Sequence, residues 1–106
     1  MSTFDERERQ FEAKFQHDEE LRFKVNARRN RLLGEWAGGL LGMSGDELKA
    51  YARSVVDADF EKPGDQDVFD KVMADLKAGN VDVSERALRR RMDELLAEAK
   101  AQVMKE

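Results

Sequence analysis

The chain has 106 residues, of which 40% are charged and 41% hydrophobic, a mixture typical of one small, highly solvated helical domain. Its net charge of −4 argues against a general attraction to nucleic acid, and the absence of cysteine excludes disulfide and thiol chemistry. The acidic start lacks the apolar core of a secretory signal, and the longest apolar run, residues 32–43, is too short and too interrupted to span a membrane. We therefore expect a cytoplasmic protein without a membrane-inserted segment.

The first twenty residues carry three phenylalanines, Phe4, Phe11 and Phe15, that stand alone among charged residues. On a helix they fall within roughly 40° of each other and form one thin aromatic seam. Ordering the backbone costs about 1–2 kcal/mol per residue, whereas burying each phenylalanine returns only about 1.5–3 kcal/mol. Two interpretations follow. Either the segment stays disordered until a partner supplies more apolar surface, or the seam packs on the rest of this protein.

A polar stretch, residues 16–20, separates this seam from apolar residues that continue at helical spacing up to Trp36. One long helix from near Phe4 to Leu41 is compatible with this pattern, and so is a helix whose first half frays. Glycines then recur every four residues, at 34, 38 and 42. They either let a neighbouring helix approach closely or weaken and end this helix. We expect the helix to end near Gly42.

Three further helices are predicted from their start and stop signals. Ser44 is a candidate N-cap, and Glu47 completes a capping box with it. Asp65 and Ser84 are the candidate N-caps of the next two helices. Pro63–Gly64 ends the helix that begins after Ser44, and Gly79–Asn80 ends the helix that begins after Asp65.

Each of these helices has one apolar face, and no convincing strand pattern appears. Since short connections make neighbouring helices antiparallel, we predict an all-α protein, a small four-helix bundle. The predicted faces are Leu48, Tyr51, Ala52, Val55, Val56 and Phe60; then Val68, Phe69, Val72, Met73 and Leu76; then Leu88, Met92, Leu95, Leu96, Ala99 and Val103.

Catalysis finds little support in the sequence. The single histidine, His17, lies in the polar stretch, and without cysteine or a second histidine we expect no metal site. No serine has a candidate base at a recognisable spacing, and there is no glycine-rich phosphate loop. A small helical enzyme is therefore the least favoured interpretation.

Two basic clusters allow another interpretation, a nucleotide- or nucleic-acid-responsive binding module. A solvated helix face is the commoner explanation of such charge runs, and the acidic residues between positions 57 and 75 can orient the basic helices within the bundle. The clusters are Arg22, Lys24, Arg28, Arg29 and Arg31, and then Arg86, Arg89, Arg90 and Arg91.

Several blocks of the sequence resemble a known family. The opening TFDERERQFEAKF (residues 3–15) closely resembles the start of the zeta subunit of alphaproteobacterial F-type ATP synthases. The block ARRNRLLGEWA (residues 27–37) resembles the same family, as do residues 58–61 and 67–69. The resemblance runs essentially from end to end, and the opening block is highly specific.

The resemblance implies a non-enzymatic inhibitor of ATP hydrolysis by the synthase, peripherally associated with the inner membrane through the synthase and a monomer when free. Residues 1–20 would be an inhibitory segment, mobile in the free protein, and residues 21–106 a four-helix bundle. The segment would become helical on entering a catalytic interface between the alpha and beta subunits. There it would meet the central gamma stalk and block rotation in the hydrolytic direction.

The aromatic seam agrees with that role, because phenylalanines on one side of a helix can anchor it in an apolar groove. We expect secondary contacts from Arg22, Arg28 and Arg29, and no metal or cofactor. Some family members are associated with adenine nucleotides, and an adenine-nucleotide-responsive module (ADP or ATP) stays the alternative, although this sequence has no motif for it. The expected partner-binding residues are Phe4, Asp5, Arg7, Glu8, Arg9, Phe11, Glu12, Lys14 and Phe15.

Overall fold

The computed structural model describes residues 3–58 and 65–106, with side chains from Asp5 onward within those ranges. These residues are all-helical, as predicted. The structure contains five helices where four were predicted, because the first predicted helix is divided. They are α1 (Thr3–His17), α2 (Glu19–Leu40), α3 (Gly45–Asp57), α4 (Gln66–Ala78) and α5 (Glu85–Met104).

The division falls at Asp18, inside the polar stretch. Asp18 has extended backbone angles (φ −102°, ψ 109°), and its side chain accepts a hydrogen bond from the Leu21 backbone N–H at 3.1 Å. Asp18 is thus the N-cap of α2, although its own N–H still donates to the Lys14 carbonyl at 2.9 Å. A short carboxylate that satisfies a helix N-terminus favours a break over helix continuation. Of the possibilities open from the sequence, the single long helix from Phe4 to Leu41 does not form.

Helices α2 and α3 pack closely through the predicted glycine stripe. A Cβ atom added at Gly34 would lie 2.6 Å from the Ala52 Cα, and one at Gly38 would lie 2.5 Å from a Leu48 methyl carbon. These two glycines therefore serve close approach. Gly42, with φ +82°, lies in the turn after α2, which ends at Leu40 as the sequence led us to expect. Both interpretations of the stripe are correct, each for different glycines.

The main hydrophobic core lies between α2, α3, α4 and α5. The predicted apolar face of α4 is buried in full, and on α5 only Leu96 of the predicted face is half-buried. On α3 the buried positions are Ala52 and Val55, while Phe60 lies outside the described residues. We call this cluster the main core; it contains Leu33, Ala37, Val55, Val68, Phe69, Val72, Met73, Leu76, Leu88, Met92 and Leu95.

Of the three predicted caps, one forms the expected hydrogen bond. The Ser84 hydroxyl accepts from the Ala87 N–H at 3.1 Å. Ser44 and Asp65 occupy N-cap positions but make no side-chain capping hydrogen bond, so the predicted capping box at Ser44 does not form. The Asp65 carboxylate instead pairs with the Arg89 guanidinium at 3.0 Å and thereby links the start of α4 to α5.

Candidate partner-binding helix

Helix α1 carries the aromatic seam, and two of its rings lie against the body of the protein. Phe11 and Phe15 are half-buried and pack on a small second cluster formed by Val25 of α2 with Ala99 and Val103 of α5. The Phe4 side chain lies outside the described residues. At the two described positions, therefore, the seam packs on the rest of this chain, which was the second of the two interpretations open from the sequence.

One lysine of α5 makes the polar part of this contact. The Lys100 ammonium lies 3.0 Å and 3.2 Å from the two carboxylate oxygens of Glu12. It also lies 4.4 Å from the centre of the Phe15 ring, within cation–π range. Sequence reasoning missed Lys100, since it stands 88 positions from Glu12 and an ordinary lysine pattern on α5 gives no signal of that pairing.

The packing between α1 and α5 is incomplete. A hollow of about 340 Å³ remains between the two helices beside the contact. Phe11 and Glu12, which border the hollow, are only half-buried, so α1 is covered less completely than a helix of the main core. The hollow is lined by Glu8, Phe11, Glu12, Asp93, Leu96, Ala97, Lys100, Ala101 and Met104.

The rest of α1 presents charge to solvent. Five of the residues predicted to contact a partner are exposed: Asp5, Arg7, Glu8, Arg9 and Lys14. Glu12 is half-buried through its pair with Lys100. The outer surface of α1 is therefore a row of acidic and basic side chains alongside a partly covered aromatic seam.

The three arginines predicted to make secondary contacts have different surroundings. Arg22 is exposed. Arg28 donates to the Gln102 side chain at 2.9 Å and pairs with Glu106, and hydrogen bonds from Arg28 and then Lys24 lower the pKa of the Glu106 carboxyl group. Arg29 is only 4% exposed and donates to the Asn30 side-chain oxygen at 2.6 Å. Arg29 therefore stabilises the interior of the body in this conformation.

Residues 3–58 and 65–106 contain no cluster of potential metal ligands, and His17 is exposed at the end of α1. Burial, together with a 2.8 Å hydrogen bond to Asp75, raises the pKa of the Tyr51 hydroxyl. Because that bond joins α3 to α4 inside the bundle, its role is structural.

The basic cluster on α2 does not form a uniformly cationic site. Arg31 lines a shallow hollow between α2 and α3 with Lys49 and Arg53, but Glu35 and Asp57 line the same hollow and offset their charge. The nucleotide-responsive alternative thus gains no specific support. No helix in the described ranges is long and apolar enough to cross a membrane.

The described residues form a small all-helical protein in which one charged helix, α1, packs on a body of four helices. Comparison with known proteins identifies its family. The family model for ATPase inhibitor subunit zeta matches residues 1–102, so the chain belongs to that family. The family assignment supports an inhibitory role at ATP synthase and association with that enzyme.

A protein whose structure was determined by solution NMR is also similar to this chain. The two share 47% sequence identity with a TM-score of 0.72, over 80% of this chain and 96% of the other. This similarity extends to the sequence as well as the helical fold. No curated protein matches the chain.

Proposed function

We propose that this protein inhibits ATP hydrolysis by inserting α1 into a catalytic interface between the alpha and beta subunits of F-type ATP synthase. In that position α1 lies against the gamma stalk and blocks its rotation. The observation that carries the proposal is the limited attachment of α1 to the body: the break at Asp18 divides it from α2, and Phe11 and Phe15, which pack on the body, are only half-buried. Family membership supports the inhibitory role itself.

The energetics of α1 favour its release to a larger partner surface. A fifteen-residue helix is marginal in water by itself, because helices of about 12–15 residues barely offset the cost of nucleation. Its attachment here consists of two half-buried phenylalanines and the partly buried Glu12–Lys100 pair, and ion pairs at a protein surface typically contribute only about 0–1 kcal/mol. A deep apolar cleft that buries Phe4, Phe11 and Phe15 fully would bind the helix more strongly.

The charged side of α1 then determines how the helix enters. Arg7, Arg9 and Lys14 pair with acidic groups of the partner, and Glu6, Glu8 and Glu12 pair with basic groups. Charges at the rim of an interface chiefly affect association rate and register. Residues 21–106, the four-helix body formed by α2 to α5, remain outside the cleft and prevent withdrawal of the segment, with Arg22 and Arg28 near enough to α1 in sequence to add contacts.

The test is to remove residues 1–15 and measure ATP hydrolysis by the cognate synthase. We expect the truncated protein to keep its helical body and its cooperative unfolding, since the main core contains no residue of α1. Inhibition should disappear. A truncated protein that inhibits as well as the full chain would contradict the proposal.

A more specific test of the same proposal replaces Phe11 and Phe15 with alanine in the full chain. We expect inhibition to fall by at least tenfold, because two anchors are lost. The control is Leu40→Ala, which removes an exposed apolar side chain (45% exposed) at the opposite end of α2. Equal inhibition by the double variant and the control would argue that the seam does not enter the partner.

A further inference from the structure

We propose that the contact between α1 and α5 is an autoinhibitory latch, with Lys100 as the residue that holds α1 on the body. This inference rests on the proposed function and adds its regulation: the protein described here is the closed, non-inhibitory form. Opening requires that the Glu12–Lys100 pair and the two ring contacts break together.

The same side chains of α1 serve two states, the one docked on the body and the one bound to the synthase. Phe11, Phe15 and Glu12 are expected to contact the synthase, yet they face Val25, Ala99 and Lys100 in the free protein. A ring that packs on α5 cannot also fill a cleft in a partner. Docking on the body and docking on the synthase therefore exclude one another, and the body competes for its own α1.

The hinge between α1 and α2 lies at Asp18. Asp18 caps α2 with its own side chain, through the 3.1 Å hydrogen bond from Leu21. Helix α2 consequently keeps a satisfied N-terminus when α1 moves away, and the body need not unfold at that end. Only the extended backbone of one residue separates the two helices, so a rotation at Asp18 swings α1 outward once its contacts with α5 have broken.

The strength of the latch depends on Lys100. Lys100 makes both of the directional contacts, the ion pair with Glu12 and the cation–π contact with Phe15, and its side chain is only 24% exposed. The hollow beside it leaves the rest of the contact loosely packed. Such an arrangement is closed in the free protein and still opens readily, and apparent affinity for the synthase is reduced by the fraction that is closed.

Lys100 also offers the sharpest test, because it lies on α5 and outside the set of residues expected to bind the synthase. In Lys100→Ala, the two directional contacts are lost while the inhibitory surface of α1 is unchanged. We expect about tenfold tighter inhibition of ATP hydrolysis. The matched control is Lys105→Ala, which removes an exposed lysine just after the same helix and should leave inhibition unchanged.

Amide hydrogen exchange of the isolated protein supplies an independent readout. In Lys100→Ala, exchange of the α1 amides should accelerate by about the same factor as inhibition tightens, while amides of the main core keep their rates. Unchanged α1 exchange, or faster α1 exchange without tighter inhibition, would overturn the latch. If no variant and no unmodified protein inhibits the synthase, the proposed function fails, and the exchange rates still show whether Lys100 holds α1.

Discussion

The main core and the α1 contact are built from the same kinds of side chain but differ in how completely they exclude water. Leu33, Leu76 and Leu88 in the main core are fully buried, whereas the rings of Phe11 and Phe15 are only half-buried beside a hollow. The core joins four helices around a common centre. The α1 contact joins one helix to the surface of two others.

This difference bears on the proposal that α1 leaves the body while the body stays folded. Free energy from burial is proportional to the apolar area removed from water, so a half-covered seam contributes much less than a closed core. Regions with few buried apolar contacts open at a low free-energy cost, and functional movements are drawn from such regions. The limited burial of α1 therefore supports its proposed release from the body of this 106-residue protein.

The largest expected effect comes from a cavity in the main core. Leu76→Ala should lower the free energy of unfolding by about 2–5 kcal/mol, because a fully buried leucine is replaced by a void. Phe15→Ala should lower it by less than about 1 kcal/mol, because we expect the body to unfold independently of α1. Denaturant unfolding followed by fluorescence of the single tryptophan, Trp36, which packs on the main core, measures both. Equal losses would show that α1 is part of the cooperative core.

The next effect concerns the close approach of α2 and α3. Gly34→Ala places a Cβ atom 2.6 Å from backbone at Ala52, and we expect a loss of about 1–3 kcal/mol because the helices must move apart. Gly39 lies on the same helix with no atom within 4 Å of an added Cβ, so Gly39→Ala should be neutral or stabilising by up to about 1 kcal/mol. Thermal unfolding of the two variants measures the difference. A Gly34→Ala variant as stable as the unmodified protein would contradict the close packing of α2 and α3.

The smallest effect distinguishes the two serines at helix starts. Ser84→Ala removes a formed cap and should cost about 0.5–2 kcal/mol. Ser44→Ala removes a side chain that makes no capping hydrogen bond, and we expect a change within about 0.5 kcal/mol. The same denaturant titration measures the two variants. A larger loss at Ser44 than at Ser84 would show that the capping box predicted from the sequence forms after all.

Much of the body follows from local sequence patterns. The faces of α4 and α5 were predicted almost residue by residue, because the period of an amphipathic helix is visible in the order of the residues. The cap at Ser84 and the end of α2 before Gly42 were also predicted. The break at Asp18 was missed, although an aspartate directly before Glu19, Glu20 and Leu21 is a recognisable helix start.

Of the candidate site, the residues on α1 were predictable from the sequence, whereas the residues of the body that they contact were not. The aromatic seam and the charges of α1 stand next to one another in the sequence, so the pattern identified them directly. Their position in the structure, against Ala99, Val103 and Lys100, depends on residues more than eighty positions away. No local pattern specifies such a pairing.

The sequence by itself determined an all-helical protein, its apolar faces, its aromatic seam and its resemblance to the ATPase inhibitor subunit zeta family. Helical periodicity and short motifs are local properties, and they are fully written in neighbouring residues. Only the tertiary structure decided that α3 packs against Gly34 and Gly38, and that Lys100 contacts Glu12 and Phe15. Those features arise when distant segments compete for the same apolar surface, and burial in three dimensions settles that competition.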